Sequence, residues 1–361
     1  MSSRHYLRPT AFVDAPFGHD GKVARLAGGL AWFSAVEVAT LQGDRLAAVE
    51  LVPFEGIAER VATLGPEAEQ AWRRIVAPRP PLTLGERVVR LDQPQTVGIL
   101  NVTPDSFSDG GRFVGPGEAV DAGFAMGREG AAIVDVGGES TRPGAKPVWE
   151  GDEVERVLPV VEALARSGTA VSVDTRKAAV MEAALAAGAA MINDVSALTF
   201  DPRSAEVAAK AECPVVLMHH LGPPETMQEA PRYDRPVLFA VYDWLEARIA
   251  AAEAMGIPRE RIVIDPGFGF GKNVQHNLQL MNGLALLHGL GCALMVGASR
   301  KRTIGALSGE APPGGRLAGS IALALKAAEQ GAQLLRVHDV PETVQALRVW
   351  RGLRDAALAP G

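Results

Sequence analysis

From Thr96 onward, short and mostly apolar runs alternate with longer stretches in which apolar residues recur every three or four positions. The short runs fall at 97–100, 132–136, 170–173, 191–193, 215–218, 262–264, 293–296 and 334–337. Such runs fit parallel strands buried on both faces. The intervening segments, 117–128, 153–166, 177–187, 203–211, 238–255, 276–288, 316–330 and 341–353, have helical spacing. Glycine stands before a small residue at Gly130, Gly188, Gly291 and Gly331, as at a helix C-cap leading into a strand. The alternation predicts the α/β class and, within it, a (β/α)8 TIM barrel over residues 95–355. A doubly wound open sheet is the alternative.

Residues 1–94 have a different rhythm. Two apolar runs, 31–39 and 46–52, flank Gly43-Asp44 and predict a strand pair with a turn. Segments 55–64 and 67–76 are helical in spacing and broken at Gly65-Pro66, and Pro78, Pro80 and Pro81 stiffen the connection that follows. This part carries no chemical constellation, so it reads as a small α+β N-terminal extension that packs on the barrel or on a partner.

Composition narrows the function. Of 361 residues, 47% are hydrophobic and 22% charged, with a net charge of -6. That balance gives no broad attraction to nucleic acid or to an anionic membrane, so an anionic ligand needs local cations. The two cysteines, Cys213 and Cys292, sit beside apolar runs and are expected as buried free thiols. No stretch approaches the roughly 18 apolar residues of a membrane span, and the N-terminus lacks the apolar centre of a signal peptide. A cytoplasmic location is expected.

Each strand-like run ends in polar or ionisable residues: Asn101, Asp135 to Arg142, Asp174, Asn193-Asp194, His219-His220, Asp265, Ser299 to Lys301, and Arg336 to Asp339. Chemistry at all eight ends favours the closed barrel, whose active site gathers at the C-terminal ends of its strands, over an open sheet with one switch point. The Asn101 carbonyl is a hard oxygen suited to Mg2+ with phosphate and water completing the shell. Asp174, Asn193 and Asp265 offer acceptors for the ring NH and NH2 groups of an amino-substituted heterocycle. Lys301, Arg336 and His338 lie on strands seven and eight, where barrels commonly hold phosphate, and Arg142 adds a planar fork. Buried aspartates tied to backbone amides, and polar turns, are the bland readings of the same residues. The string GFGFGK, 267–272, fails as a dinucleotide fingerprint and as a phosphate loop, because three residues separate Gly267 from Gly271 and Asn273 follows Lys272. Neither a zinc set around His219-His220 nor a hydrolase nucleophile is supported.

In order, NVTPDSFSDGG, ESTRPGA, VDT, IND, DPGFGFGK, SRK and RVHDV resemble the dihydropteroate synthase family over residues 96–353. The resemblance implies condensation of a dihydropterin pyrophosphate with 4-aminobenzoate, giving dihydropteroate and pyrophosphate. It implies Mg2+ as cofactor on Asn101. The pterin would be held by Asp174, Asn193 and Asp265 with Met218 and Lys301, and the phosphates by Thr141, Arg336 and His338. Aminobenzoate would be framed by Phe107, Pro143, Phe270 and Ser299, with Asp109, Arg142, Lys301 and His338 closest to the chemistry. A homodimer is implied by the resemblance alone. The first 94 residues, and the segment 219–236 with its tandem histidines, depart from a minimal member. Two rivals share this barrel: a pterin-binding methyltransferase, which would lack the Phe107 and Asp109 loop and the Ser299 and Lys301 pairing, and a non-catalytic paralogue, which would have lost a ligand.

Overall fold

The structure, a computed structural model, describes residues 3–103, 116–140, 147–222 and 226–358. Its first part holds strands β1 (Ser3–Val13), β2 (Ala24–Arg25), β3 (Trp32–Gln42) and β4 (Arg45–Pro53), then helices α1 (Phe54–Leu64) and α2 (Pro66–Val76). Here β3 is central, antiparallel to β1 on one side and to β4 and β2 on the other. The turn at Gly43-Asp44 and both helices match the sequence reading. Strand β1 does not: it carries Pro9, which removes a ladder donor and signals a break. As an edge strand it tolerates the loss.

After the prolines comes a short hairpin, β5 (Leu82–Leu84) with β6 (Arg87–Val89). Its Leu82, Leu84 and Val89, with Leu91, join a cluster with Val97, Ile133, Ala170, Met191, Val216, Val263, Ala293, Met295 and Leu334. These last nine are barrel residues, and all of them stand one to three positions into their strands or just before them, towards the N-terminal end of the barrel. The hairpin thus stoppers the end opposite the polar clusters. Each of its buried leucines contributes about 1.5–3 kcal/mol by burial.

The barrel alternates β7 (Gln95–Asn101), α3 (Pro116–Glu129), β8 (Ile133–Gly137), α4 (Glu150–Arg166), β9 (Val171–Asp174), α5 (Ala178–Ala186), β10 (Met191–Asp194), α6 (Ser204–Ala211), β11 (Val215–Met218) and α7 (Val237–Ala254). It continues with β12 (Ile262–Asp265), α8 (Val274–Gly283), β13 (Ala293–Val296), α9 (Arg302–Leu307), α10 (Leu317–Glu329), β14 (Leu334–Val337) and α11 (Val340–Ala357). The eight strands β7 to β14 pair in parallel and close, which removes the open-sheet alternative. Gly130, Gly188, Gly291 and Gly331 all have positive φ, between +82° and +107°, as the C-cap reading requires. The helix expected over 276–288 is two pieces, α8 and a 3-10 segment Leu284–Leu290.

The extension packs on the outside of the barrel. One face of its sheet, with α1 and α2, makes a cluster of its own with Leu7, Phe33, Val36, Val38, Ile57 and Ile75, to which the barrel adds Ala285. The other face enters the main core through Tyr6, Ala39 and Leu41. The Tyr6 ring lies 4.6 Å from Phe239 on α7, and its hydroxyl donates to Asp243 at 2.8 Å. Buried Arg79 locks the junction, donating to the carbonyls of Cys292, His288, Arg74 and Ala77 at 2.8–2.9 Å. Cys213 and Cys292 are buried and free. Among the described residues, no helix is long and apolar enough to cross a membrane.

Candidate active site

Register places the polar strand ends side by side. Asn101 on β7 pairs with Gly137 on β8, Gly137 with Asp174 on β9, and Asp174 with Asn193 on β10. Met218 on β11 is level with Asp265 on β12. Each chain reaches its polar residue at the last turn of an apolar strand, so the fold itself delivers the groups to one rim.

Arg336 on β14 crosses to that row. Its Nε donates to Asp135 Oδ2 at 2.6 Å and its Nη2 to Asp174 Oδ2 at 2.5 Å. Asn193 Nδ2 donates to the same Asp135 oxygen at 2.9 Å. Asp135 Oδ1 and Asp174 Oδ1 are buried with no hydrogen-bond partner, and Arg336 Nη1 makes no hydrogen bond to a described residue. Burial pushes the Asp174 carboxyl up, with Asp135 acting the same way and Arg336 opposing both. Burial would lower the Arg336 guanidinium, but Asp135 and Asp174 outweigh it and hold the group firmly charged. An orphaned carboxylate oxygen and a spare guanidinium arm at one site are acceptor and donor capacity left for a ligand.

Asp265 completes the floor. Its Oδ1 accepts from Gly267 N at 2.7 Å. A side chain at Gly297 would start 3.8 Å from both Asp265 Oδ2 and Arg336 Cβ, so glycine keeps the space between these two residues clear. Asp265 and Arg336 therefore open onto the same rim. Burial raises the Asp265 carboxyl, opposed by the Gly267 amide and then by Lys301, Arg336 and Lys272.

At the other side of the mouth, Ser299 Oγ accepts from His338 N at 3.2 Å and meets His338 Nδ1 at 3.0 Å. Arg300 Nε holds Asp339 at 3.0 Å, tying the end of β13 to the end of β14. The Lys301 ammonium lies 4.1 Å from the centre of the Phe270 ring, within cation–π range. His338 is not a cation: burial, then Arg336, Arg300 and Lys301, push its imidazole down to about 3, so it is neutral. Arg336, expected at a phosphate, lies between two carboxylates.

The structure thus brings together Asn101, Asp174, Asn193, Met218, Asp265, Phe270, Ser299, Lys301, Arg336 and His338. Phe107, Asp109, Thr141, Arg142 and Pro143 lie outside the described residues. Sequence reasoning named Asp135 as the start of a polar cluster and Lys272 as part of a motif but gave neither a role; Asp135 lies mid-strand, two residues before the end of β8. The tandem histidines have other partners: His219 Nδ1 lies 2.8 Å from Lys272 Nζ, and His220 Nδ1 lies 3.0 Å from Gly222 O.

Among the described residues, no three His, Cys, Asp or Glu form a metal cluster. A Mg2+ ion can do with fewer protein ligands when phosphates share it. An ideal Cβ at Gly137 would stand 3.7 Å from Asn101 Oδ1 and 3.6 Å from Asp174 Oδ2. The glycine thus leaves room beside a hard amide oxygen, and the donor set fits a hydrated, phosphate-bridged ion.

A pterin-binding enzyme family model matches residues 97–338. The dihydropteroate synthase of Escherichia coli is 50% identical over 260 residues, 72% of this chain and 91% of its own. The chain belongs to the dihydropteroate synthase family. Two solved structures of the Xanthomonas albilineans synthase superpose on it. One, described with 4-aminobenzoic acid, has a TM-score of 0.72 and 48% identity, covering 78% of this chain and all of its own. The other, described with 7,8-dihydropteroate, has a TM-score of 0.70 and 46% identity with the same coverage. The family model begins at residue 97, so residues 1–94 lie outside it.

Proposed function

We propose that the rim of Asp174, Asn193, Asp265 and Arg336 carries out dihydropteroate synthesis, condensing 6-hydroxymethyl-7,8-dihydropterin pyrophosphate with 4-aminobenzoate. The observation that carries this reading is the orphaned carboxylate oxygen of Asp174 on the same rim as Asp265 and the free Nη1 arm of Arg336. The carboxylates and the Asn193 amide accept and donate along the edge of the pterin ring, against Met218. Arg336 Nη1 takes a phosphate oxygen, and Ser299 and neutral His338 supply uncharged hydrogen bonds beside it.

The bond that breaks joins the pterin methylene to the diphosphate oxygen, and its electron pair leaves with the diphosphate. Arg336 stabilises that leaving charge, while the acidic floor stabilises the cation left on the methylene and delocalised into the ring. The arylamine nitrogen then forms the new C–N bond and gives up a proton. Phe270 and Ser299 frame the aminobenzoate, and Lys301, over the Phe270 ring, stands beside the pterin. A Mg2+ ion on Asn101 would add charge neutralisation of the diphosphate. Thr141, Arg142, Pro143, Phe107 and Asp109 complete the site from the flanking loops in this reading.

The same reading divides the chain into an extension, 1–94, and a catalytic barrel, 95–355, and makes it a cytoplasmic homodimer. The decisive assay is pyrophosphate release from the dihydropterin substrate with and without aminobenzoate. Release in a burst without the amine supports the dissociative order, and strict dependence on the amine at single turnover contradicts it. No release under either condition contradicts the activity itself. A monomer by light scattering would remove the dimer.

A further inference from the structure

Lys272 is a buried ammonium with no carboxylate in contact. Its Nζ lies 2.8 Å from His219 Nδ1 and donates to Phe270 O at 2.9 Å, both neutral partners. A buried charge held only by neutral groups is costly, and an apolar side chain of the same length would relieve that cost. The loop that carries it is already pinned without it. Phe270 N donates to Gly267 O at 3.0 Å, Gly269 N to Asn277 Oδ1 at 2.8 Å, and Tyr233 OH to Gly271 O at 2.9 Å. Gln228 Nε2 donates to Gly269 O. Glycine is required at 267, where φ is +67° and a Cβ would collide with His219 O. The loop can fold on these contacts, so the ammonium needs another reason to be there.

That reason lies in what surrounds it. Asp265 on β12 attracts it, Lys301 after β13 repels it, and Phe270, whose carbonyl it holds, presents its ring to Lys301. His219 and His220 after β11, and His276 on α8, are other titratable groups within its field; burial, and behind it this charge, pushes each of the three towards the neutral form. Resting on the functional reading above, we propose that Lys272 is a positioning residue of this site, holding Phe270 from behind and keeping a positive charge beside Asp265. That charge favours ionised Asp265 and so its acceptor capacity for the pterin ring. Burial lowers the Lys272 amine to about 7, against Asp265 and together with Lys301. It is therefore charged across the acid range in which Asp265 titrates.

The test compares Lys272→Met and Lys272→Arg with the wild type. Affinity for the dihydropterin pyrophosphate is measured by calorimetry from about pH 5 to about pH 9, and the KM for aminobenzoate is measured alongside. In Lys272→Met the acid limb of pterin binding should move up by about one pH unit, as loss of a nearby opposite charge requires. The aminobenzoate KM should rise, since Phe270 loses its anchor. Lys272→Arg should leave the acid limb where the wild type has it. An unmoved limb in Lys272→Met overturns the proposal. So does failure of both Lys272→Met and Lys272→Gln to fold, because the ammonium would then be structural. A wild type that binds the pterin but makes no dihydropteroate overturns the functional reading instead, and the binding profile still decides the role of Lys272.

Discussion

Removing Arg336 should cost both stability and substrate affinity, and the two losses should depend on pH in opposite ways from an ordinary surface mutation. Arg336→Ala deletes the only cation among the described residues in contact with Asp135 and Asp174, carboxylates whose side chains are 0% and 7% exposed. Breaking a buried ion pair on one side costs about 3–5 kcal/mol, since the remaining charge is stranded. Asp174 is already pushed above the usual carboxylate range by burial. Without the guanidinium it rises further. A carboxyl raised in the folded state lowers stability above its folded pKa, and that penalty vanishes as pH falls to its unfolded value. The variant's deficit should therefore be largest well above neutrality and shrink as pH falls through its raised Asp174 value towards about 7, where the wild-type carboxyl itself protonates. Affinity for the pyrophosphate substrate should fall by about 2–5 kcal/mol when a paired oxyanion loses its partner. Urea melts across pH give the first quantity and calorimetry the second. A variant as stable as the wild type at alkaline pH, or binding the substrate unchanged, would refute the bridging role.

Asp265→Asn should weaken pterin binding by about 1.5–3 kcal/mol, because a donor replaces one acceptor of a charged hydrogen bond; unchanged calorimetric affinity would contradict that assignment. His338 is neutral with its pKa pushed to about 3, so a limb near pH 6.5 in the kcat profile should survive His338→Asn, and its disappearance would show that the imidazole titrates. Because the folded imidazole resists protonation, stability should be lost as pH falls below about 6.5, and the Asn variant should lose less on acidification in thermal melts. A sulfonamide mimicking aminobenzoate should compete with the amine, and noncompetitive inhibition would displace the pocket framed by Phe270 and Ser299.

The barrel was legible because its signal is local. Strands Val215–Met218, Ala293–Val296 and Leu334–Val337 coincide with the apolar runs, and others differ mainly by the polar residue that ends them. That same residue is the functional one, which is why reading the strand ends also read most of the site. What escaped depends on contacts distant in sequence. Strand β1 is specified by its pairing with β3, not by its own composition with Pro9 inside. The hairpin of Leu82 and Leu84 is three residues a side, too short for periodicity, and is fixed by the barrel end it fills. The bridging of Arg336 to Asp135 and Asp174 spans 201 and 162 positions. The position of Arg336 on the last strand suggested a phosphate contact, and only the closed barrel shows the guanidinium among the carboxylates. The neutrality of His338 likewise follows from burial beside three cations, which no local string announces.

The most direct test is a crystal structure with the dihydropterin pyrophosphate bound. The ring edge should lie on Asp174 Oδ1, Asn193 and Asp265, with the diphosphate on Arg336 Nη1 beside Ser299 and His338. A ring seated away from Asp174 and Asp265, or a diphosphate out of reach of Arg336, would contradict the account.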